Sequence, residues 1–198
     1  MGRLVEVVGP SGVGKTTLVK ALSRKAHFAT AFEGHTERPF QALFKRDNRY
    51  GLANQMDYLL LRAEQERELR ASPLTGLMDG GLDLDYHGFA RLFHARGWLS
   101  DAEFDLCRRF HEITRRFLPL PELIVNLTAG EETIRARLAA RQRINIASAE
   151  DTALFNSLLD EWLAGIPPQN LLTLDVAPED PDFAHSVSLI LGKLNTET

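Results

Sequence analysis

The sequence has little cysteine, no long apolar run and no excess of positive charge, and each absence excludes a class of protein. Cys107 is the single cysteine among 198 residues, so no disulfide can form within the chain and a reducing, cytoplasmic setting is expected. No apolar run approaches the roughly 20 residues needed to cross a bilayer. The net charge of −4 argues against a general nucleic-acid-binding protein, whose surface should be basic.

The histidines and the first residues exclude two more features. The six histidines are scattered, and their spacing matches no common zinc motif. A strand-like run starts at Leu4, so we expect no signal peptide. The length of 198 residues favours one domain over residues 1–198, with a substantial core.

A glycine-rich motif near the N-terminus is the strongest functional signal. Residues 9–17 read GPSGVGKTT and fit the phosphate-binding loop G-x-x-x-x-G-K-[ST]. The apolar, β-branched run 4–8 before it predicts a buried strand, and residues 17–25 after it predict a helix. This order directs backbone N–H groups and the positive helix end at phosphates. We therefore predict that the loop binds ATP or another nucleoside triphosphate.

Each residue type in the loop has its own role. The glycines permit backbone angles and close approaches that side chains forbid. Lys15 would bridge the β- and γ-phosphates, and the Thr16 hydroxyl would be a ligand of Mg²⁺. The loop residues predicted to contact the nucleotide are Gly9, Ser11, Gly12, Val13, Gly14, Lys15, Thr16 and Thr17.

Two acidic residues lie at the ends of further predicted strands. The strand predicted over 27–32 is followed by Glu33, and the strand predicted over 74–79 ends in Asp79. Strand ends of this kind face the ligand crevice of α/β sheets. Glu33 is a candidate general base. An equally good interpretation is that Glu33 is an acidic loop residue exposed to solvent. Asp79 is a candidate Mg²⁺ ligand, although an Asp that starts a glycine turn is common.

Two predicted helices carry candidate binding residues. Gln55 lies in the helix predicted over 49–70, where its amide is suited to a base edge; the alternative is a polar rim residue. After Glu131 the chain carries Arg135, Arg137, Arg141 and Arg143 with no acid among them. Beside a bound triphosphate, residues 137–148 are predicted to form a mobile arginine-rich lid rather than a solvated charged face.

The order of the predicted elements indicates the fold. Strands are predicted over 4–8, 27–32, 74–79, 123–127 and 170–174, with helices between them. Such alternation predicts a three-layer α/β/α fold with a five-stranded parallel sheet. The helix predicted over 101–118, with a capping box from Ser100 to Glu103, is apolar on more than one side. An apolar surface on more than one side indicates that this helix contacts a partner subunit or is buried on two sides within one chain.

Taken in order, these motifs resemble the deoxynucleoside kinase family over nearly the whole chain. The resemblance rests on the phosphate loop, the strand end at Glu33, the Gln55 helix, Asp79 and the arginine segment 137–143. It implies a phosphate-loop kinase that transfers the γ-phosphate of ATP, with Mg²⁺, to the 5′-hydroxyl of a nucleoside or nucleoside-like small molecule. It also implies a homodimer formed through helices near residues 104–117.

The same resemblance implies roles for individual residues. Glu33 would deprotonate the attacking hydroxyl. Gln55 and Phe44 would contact the nucleoside, with Asp79 close by. The residues implied to clamp ATP and the transferring phosphoryl group are Arg137, Arg141 and Arg143.

Three positions depart from the family pattern. Gly80 follows Asp79 where the family usually has an arginine, so restoring arginine there should raise activity if that loss is limiting. Phe44 stands near the place of a tyrosine that contacts the sugar hydroxyl, and residues 144–146 lack the glutamate that usually follows the lid arginines. The phosphate-binding residues are kept, whereas the sugar-binding residues are altered.

Two other functions remain open at this point. One is a phosphate-loop kinase for nucleoside monophosphates, in which Arg38, Arg46 and Arg49 would hold the acceptor phosphate. The other is a nucleotide-binding regulatory module with little transferase activity, for which the missing arginine after Asp79 is the best support.

Overall fold

A five-stranded parallel sheet forms the centre of the computed structural model, which describes residues 1–32, 37–139, 149–176 and 182–196. Neighbouring strands are parallel, in the order β2-β3-β1-β4-β5. The strands are β1 Leu4–Val8, β2 Ala29–Ala31, β3 Gly76–Asp79, β4 Leu123–Thr128 and β5 Leu171–Asp175. The predicted five-stranded parallel sheet is confirmed.

Helices connect the strands and cover both faces of the sheet. The helices are α1 Lys15–Lys25, α2 Pro39–Phe44, α3 Gly51–Ala71, α4 Leu82–Leu84, α5 Arg91–Ala95, α6 Asp101–Phe117, α7 Glu131–Ala139, α8 Ala149–Leu163 and α9 Ala184–Thr196. A π-helical stretch, Asp85–Ala90, joins α4 to α5 without a break. We call the continuous helical stretch segment 82–95; the sequence predicts helix there from residue 85 onwards, but not the π geometry.

The residues of β1 face the two helical layers alternately. Val5 and Val7 pack in one core with α1 and α9, while Leu4 and Val8 pack on the other face against α3, segment 82–95 and α8. Glu6 points to the same side as Leu4 and Val8 and is fully buried. The predicted three-layer arrangement is therefore confirmed, with a charged residue inside one layer.

The start of α6 confirms the predicted capping box. The Ser100 hydroxyl accepts a hydrogen bond from the Glu103 N–H, and the Glu103 carboxylate accepts one from the Ser100 N–H at 2.8 Å. Together these bonds satisfy two backbone donors that the helix itself leaves unpaired. The capping box fixes where α6 begins.

The strand order sets the position of a ligand crevice. From β1 the chain first builds β2 and β3 on one side, and then β4 and β5 on the other. The carboxyl end of β1 is therefore a topological switch point, where α/β sheets bind ligands. The glycine-rich loop 9–17 lies directly at this point. Among the described residues, no helix combines the length and apolar character needed to span a membrane.

Candidate functional site

Lys15 lies folded over the glycine-rich loop. Its Nζ donates hydrogen bonds to the carbonyl oxygens of Gly9, at 2.8 Å, and Pro10, at 3.1 Å. The side chain is largely buried, so the ammonium group is held against the loop backbone. When phosphate is bound, the ammonium group would leave these carbonyl oxygens and donate to the charged phosphate oxygens instead. Of the other predicted loop residues, Gly9, Gly12 and Val13 are buried, Ser11 is half-buried and Thr17 is exposed.

Thr16 and Asp79 meet beside the loop. The Thr16 hydroxyl donates a hydrogen bond of 2.6 Å to Asp79 Oδ2, although the two residues are 63 positions apart. The contact forms because Asp79 ends β3 in register with Val7 of β1, directly before the loop. Asp79 Oδ1 is buried and has no hydrogen-bond partner among the described residues. A hydroxyl and a carboxylate with a vacant oxygen are the ligand types that Mg²⁺ prefers, so this pair fits the ion.

Residues from late in the chain enclose the loop. Arg137 donates hydrogen bonds to the carbonyl oxygens of Val13, at 2.6 Å, and Val176, at 3.2 Å. Gly14 has φ of 120°, and a Cβ there would lie 2.8 Å from the ring of Phe183. Phe183 itself adopts a positive φ of 52°. The sequence predicts Arg137 at the nucleotide, but no pattern in it indicates Phe183.

A second group of buried polar residues lies across the crevice. The Gln55 side-chain amide donates to the Asp85 carbonyl at 2.9 Å, and Arg62 Nε donates to the Asp85 carboxylate at 2.8 Å. Arg62 also donates to Gln65 at 3.1 Å, and Gln65 donates to the Phe32 carbonyl at 3.1 Å. These bonds join α3, segment 82–95 and the end of β2.

The sequence reveals part of this second group. Gln55 and Arg62 are seven residues apart, which is two helical turns, so both lie on one face of α3. Asp85 and Gln65 complete the group, and sequence reasoning missed both. No motif contains them, and their contacts arise from the packing of α3 against segment 82–95.

Phe44 lies in an aromatic cluster. Its ring stacks on Phe93 with centroids 4.9 Å apart and meets Trp98 edge-on at 5.5 Å. Only 5% of the residue is exposed. Phe44 therefore packs α2 against segment 82–95, and its ring offers no hydrogen bond.

The glycines after Asp79 are each confined by a buried side chain. Gly80 has φ of 75°, and a Cβ there would lie 3.2 Å from a terminal nitrogen of Arg62. A Cβ at Gly81 would overlap with the carboxyl group of Glu6. Arginine at position 80 would therefore meet backbone strain and crowding, which changes the expectation that it would restore activity.

Glu6 belongs to a buried network of charges behind the crevice. Its carboxylate accepts a hydrogen bond from the Leu84 N–H at 3.4 Å. Nearby, Arg115 donates to Glu66 at 2.9 Å and to Asp83 at 3.0 Å. Burial, and then the charge of Asp83, raise the pKa of Glu6 well above its ordinary value. Folding therefore favours the protonated form of Glu6.

Several predicted site residues lie outside the part of the chain that the structure describes. They are Glu33, Arg141 and Arg143, and with them most of the predicted lid 137–148. Their roles remain predictions from the sequence.

Comparison with known proteins identifies the family. The deoxynucleoside kinase family model matches residues 5–185. The chain belongs to the deoxynucleoside kinase family. It is 28% identical to the deoxyadenosine kinase of Dictyostelium discoideum over 144 residues, which cover 72% of this chain and 58% of that protein. It is 24% identical to the deoxyadenosine/deoxycytidine kinase of Bacillus subtilis (strain 168) over 143 residues, covering 71% of this chain and 66% of the relative.

A solved member of the family has the same fold. The structure of deoxyadenosine kinase from M. mycoides with bound dCTP superposes with a TM-score of 0.79 at 18% identity. The superposition covers 98% of this chain and 99% of that one. The resemblance to deoxynucleoside kinases and the predicted phosphate-loop kinase fold are both confirmed.

Proposed function

We propose that this protein is an ATP-dependent kinase that phosphorylates the 5′-hydroxyl of a deoxynucleoside or a closely similar small molecule. The contact between Thr16 and Asp79, beside Lys15 and the phosphate loop, carries the proposal. Membership of the deoxynucleoside kinase family supports a nucleoside acceptor, and two relatives are named for deoxyadenosine and deoxycytidine.

The phosphate loop would hold the donor ATP. Its backbone N–H groups and the N-terminus of α1 would bind the phosphates, while Lys15 would turn from the loop carbonyls to the β- and γ-phosphates. Arg137, bonded to the Val13 carbonyl, would keep the loop in shape and add positive charge beside the nucleotide. The donor site would thus consist of the loop after β1, the start of α1 and Arg137 of α7.

Thr16 and Asp79 would hold Mg²⁺. The ion supplies positive charge that offsets the phosphate oxygens during transfer. Asp79 Oδ1, which has no partner among the described residues, offers an oxygen to the ion or to one of its waters. The Thr16 hydroxyl would give up its hydrogen bond to Asp79 and bind the same ion.

Gln55, Arg62 and Asp85 would bind the acceptor base. Together they provide N–H donors and carboxylate acceptors, and both Gln55 and Arg62 are almost fully buried. A site lined by buried polar groups discriminates strongly between ligands. A ligand that leaves one of these groups unpaired binds more weakly by the free energy needed to desolvate that group. Phe44 would support this wall of the pocket by packing behind it.

The chemical step would use residues assigned from the sequence. Glu33 would accept the proton of the 5′-hydroxyl as this oxygen attacks the γ-phosphate. Arg141 and Arg143 would neutralise charge on the transferring group, and the lid 137–148 would exclude water.

Two of the three arginines on which the monophosphate alternative depends, Arg38 and Arg49, are already paired with carboxylates. Arg38 pairs with Asp57 at 2.5 Å, and Arg49 pairs with Asp47 at 2.7 Å. An arginine already bound to a carboxylate is poorly available to an acceptor phosphate. We therefore favour an uncharged nucleoside acceptor.

We further propose that the kinase is a cytoplasmic homodimer. Helix α6 and the loop after it expose several large apolar side chains, and such patches commonly mark protein interfaces. These residues are Leu106, Ile113, Phe117 and Leu120, which are 42%, 51%, 72% and 51% exposed. A second copy of the chain would cover them.

The proposed reaction is tested by measuring ADP release from ATP and Mg²⁺ against nucleosides, deoxynucleosides and nucleoside monophosphates, with Glu33→Gln as a parallel variant. We expect turnover with a deoxynucleoside, and loss of that turnover in Glu33→Gln with ATP binding retained. Turnover with monophosphates alone would replace the proposal by the monophosphate alternative. ATP binding without any acceptor-dependent turnover would favour the regulatory module.

A further inference from the structure

Three side chains that the proposed phosphoryl transfer does not use meet between segment 82–95 and α6. They are Asp83, His87 and His111. One carboxylate oxygen of Asp83 and one ring nitrogen of each histidine all lie within 4.8 Å of one another. His111 Nε2 is 2.7 Å from Asp83 Oδ1. We propose that this cluster is a Zn²⁺ site.

The donor set and its placement suit zinc. Two imidazoles and one carboxylate are a common set of protein ligands for Zn²⁺, with a water in the fourth position. Asp83 and His87 are four residues apart in one helical segment and so project from the same side. His111 approaches from α6. The fold thus brings together two histidines whose spacing in the sequence, 24 residues, indicates no metal motif.

The cluster needs only small movements to bind the ion: Asp83 and His111, now 2.7 Å apart, would separate slightly, and His87 would move closer. Zinc lies about 2.0–2.2 Å from such ligands, so tetrahedral ligand atoms are about 3.3 Å apart. His87 can supply this movement, because no hydrogen bond among the described residues holds its ring. Its ring stacks on Trp162, with centroids 5.1 Å apart and planes 3° from parallel. A ring that slides or turns within that stack can move its nitrogen towards Asp83 and His111.

A charged neighbour holds the carboxylate of the cluster in place. Arg115 lies within 3.0 Å of both Asp83 oxygens. Arg115 orients the carboxylate, but its positive charge repels a cation. Zn²⁺ would therefore bind more weakly here than to the same three ligands without Arg115.

A metal-free network is the competing explanation of the same contacts. In that network His111 donates a hydrogen bond to Asp83, Arg115 completes the pairing, and His87 has no part. In a zinc site His87 is a ligand. The two explanations therefore differ in what His87 contributes, and this holds whether or not the protein is a kinase.

The test is a calorimetric titration of the full chain with Zn²⁺ after treatment with EDTA and its removal. We expect one Zn²⁺ per chain in the wild type and binding at least about 100-fold weaker in His87→Gln, because loss even of a group that merely orients a ligand costs about 10–100-fold. His94→Gln is the matched control, since His94 lies on the same segment, is also half-buried and pairs instead with Asp101. Equal binding by wild type and His87→Gln, or no stoichiometric binding by wild type at micromolar Zn²⁺, would overturn the proposal.

A second measurement locates the ion without changing a ligand. The chain has two tryptophans, of which Trp162 stacks on His87 while Trp98 packs against Phe44 and Phe93. Paramagnetic Co²⁺ in the cluster would quench the fluorescence of Trp162 at short range. We expect saturable quenching in Trp98→Phe and little in Trp162→Phe, with Zn²⁺ reversing it. Equal quenching in the two variants, or none in either, would place the ion elsewhere and refute the site.

Discussion

Thr16 and Asp79 illustrate, at the scale of single residues, what a sequence reveals about a site. Thr16 belongs to a motif of fixed spacing, and Asp79 is recognisable because it ends an apolar strand. Parallel pairing of β1 and β3 then brings the two within 2.6 Å. The bond between Arg62 and Asp85 was not predicted, because it depends on how α3 packs against segment 82–95 rather than on local sequence.

The first prediction concerns the proposed Mg²⁺ ligand Asp79. In Asp79→Asn the side chain keeps its size but loses its charge, so we expect turnover to fall at least about 100-fold, with partial recovery at high Mg²⁺. Steady-state rates across a range of Mg²⁺ concentrations would measure this. Asp101→Asn removes an exposed carboxylate at the start of α6, outside the proposed site, and should behave as wild type. Unchanged Mg²⁺ dependence in Asp79→Asn would remove Asp79 from the metal site.

A second prediction concerns Gly80, where the structure revises an expectation from the sequence. Because Gly80 has φ of 75° and lies against Arg62, we expect Gly80→Arg to lose about 1–3 kcal/mol of stability without a gain in turnover. Asn tolerates positive φ better, so Gly80→Asn should lose less. Urea unfolding and ADP release would be measured for both. Higher turnover in Gly80→Arg at wild-type stability would show that the missing arginine alone limits turnover.

At the scale of elements, β1 was predicted correctly as a buried strand from its apolar, β-branched residues. What the pattern does not show is that Glu6 within it is fully buried, facing Glu66, Asp83 and Arg115. Nor does helical periodicity show the π geometry of Asp85–Ala90. Both features depend on residues far apart in the chain, whereas the capping box of α6 is local and was predicted correctly.

The burial of Glu6 predicts how stability depends on pH. A carboxyl whose pKa is raised by folding binds more protons in the folded than in the unfolded state, so it reduces stability as pH rises above the ordinary glutamate pKa. We expect Glu6→Gln to be more stable than wild type, and the gain in unfolding free energy to be larger at pH 8 than at pH 5. Urea unfolding at both pH values measures it, with Glu68→Gln on the exposed side of α3 as the control. A gain equal at both pH values would show that Glu6 does not titrate between them.

At the scale of the whole molecule, the alternation of strands and helices was enough to predict a parallel α/β sheet. The strand boundaries were less accurate: the strand predicted over 74–79 begins at Gly76. The order β2-β3-β1-β4-β5 was not predicted, because hydrophobic pattern identifies strands but not their neighbours. The cluster of Asp83, His87 and His111 was missed for the same reason, since it exists only after segment 82–95 packs beside α6.

The proposed homodimer gives a prediction about the assembly. Ile113→Asp places a charge within the exposed apolar face of α6, and we expect it to weaken association at least about tenfold. Leu189→Asp changes a residue of similar exposure on α9, away from that face, and should remain dimeric. Light scattering over a dilution series would measure the mass of each. A monomeric wild type, or equal masses for the two variants, would contradict an interface at α6.

The enclosure of the phosphate loop by Arg137, Val176 and Phe183 has a consequence for biosynthesis. A ribosome makes the loop motif first and these residues later, Arg137 being 124 positions after Val13. A nascent chain would therefore display the motif long before the contacts that fix its shape exist. The proposed capture of nucleotide would begin only after Phe183 has been made and has packed against the loop, so shorter products of translation would not sequester nucleotide.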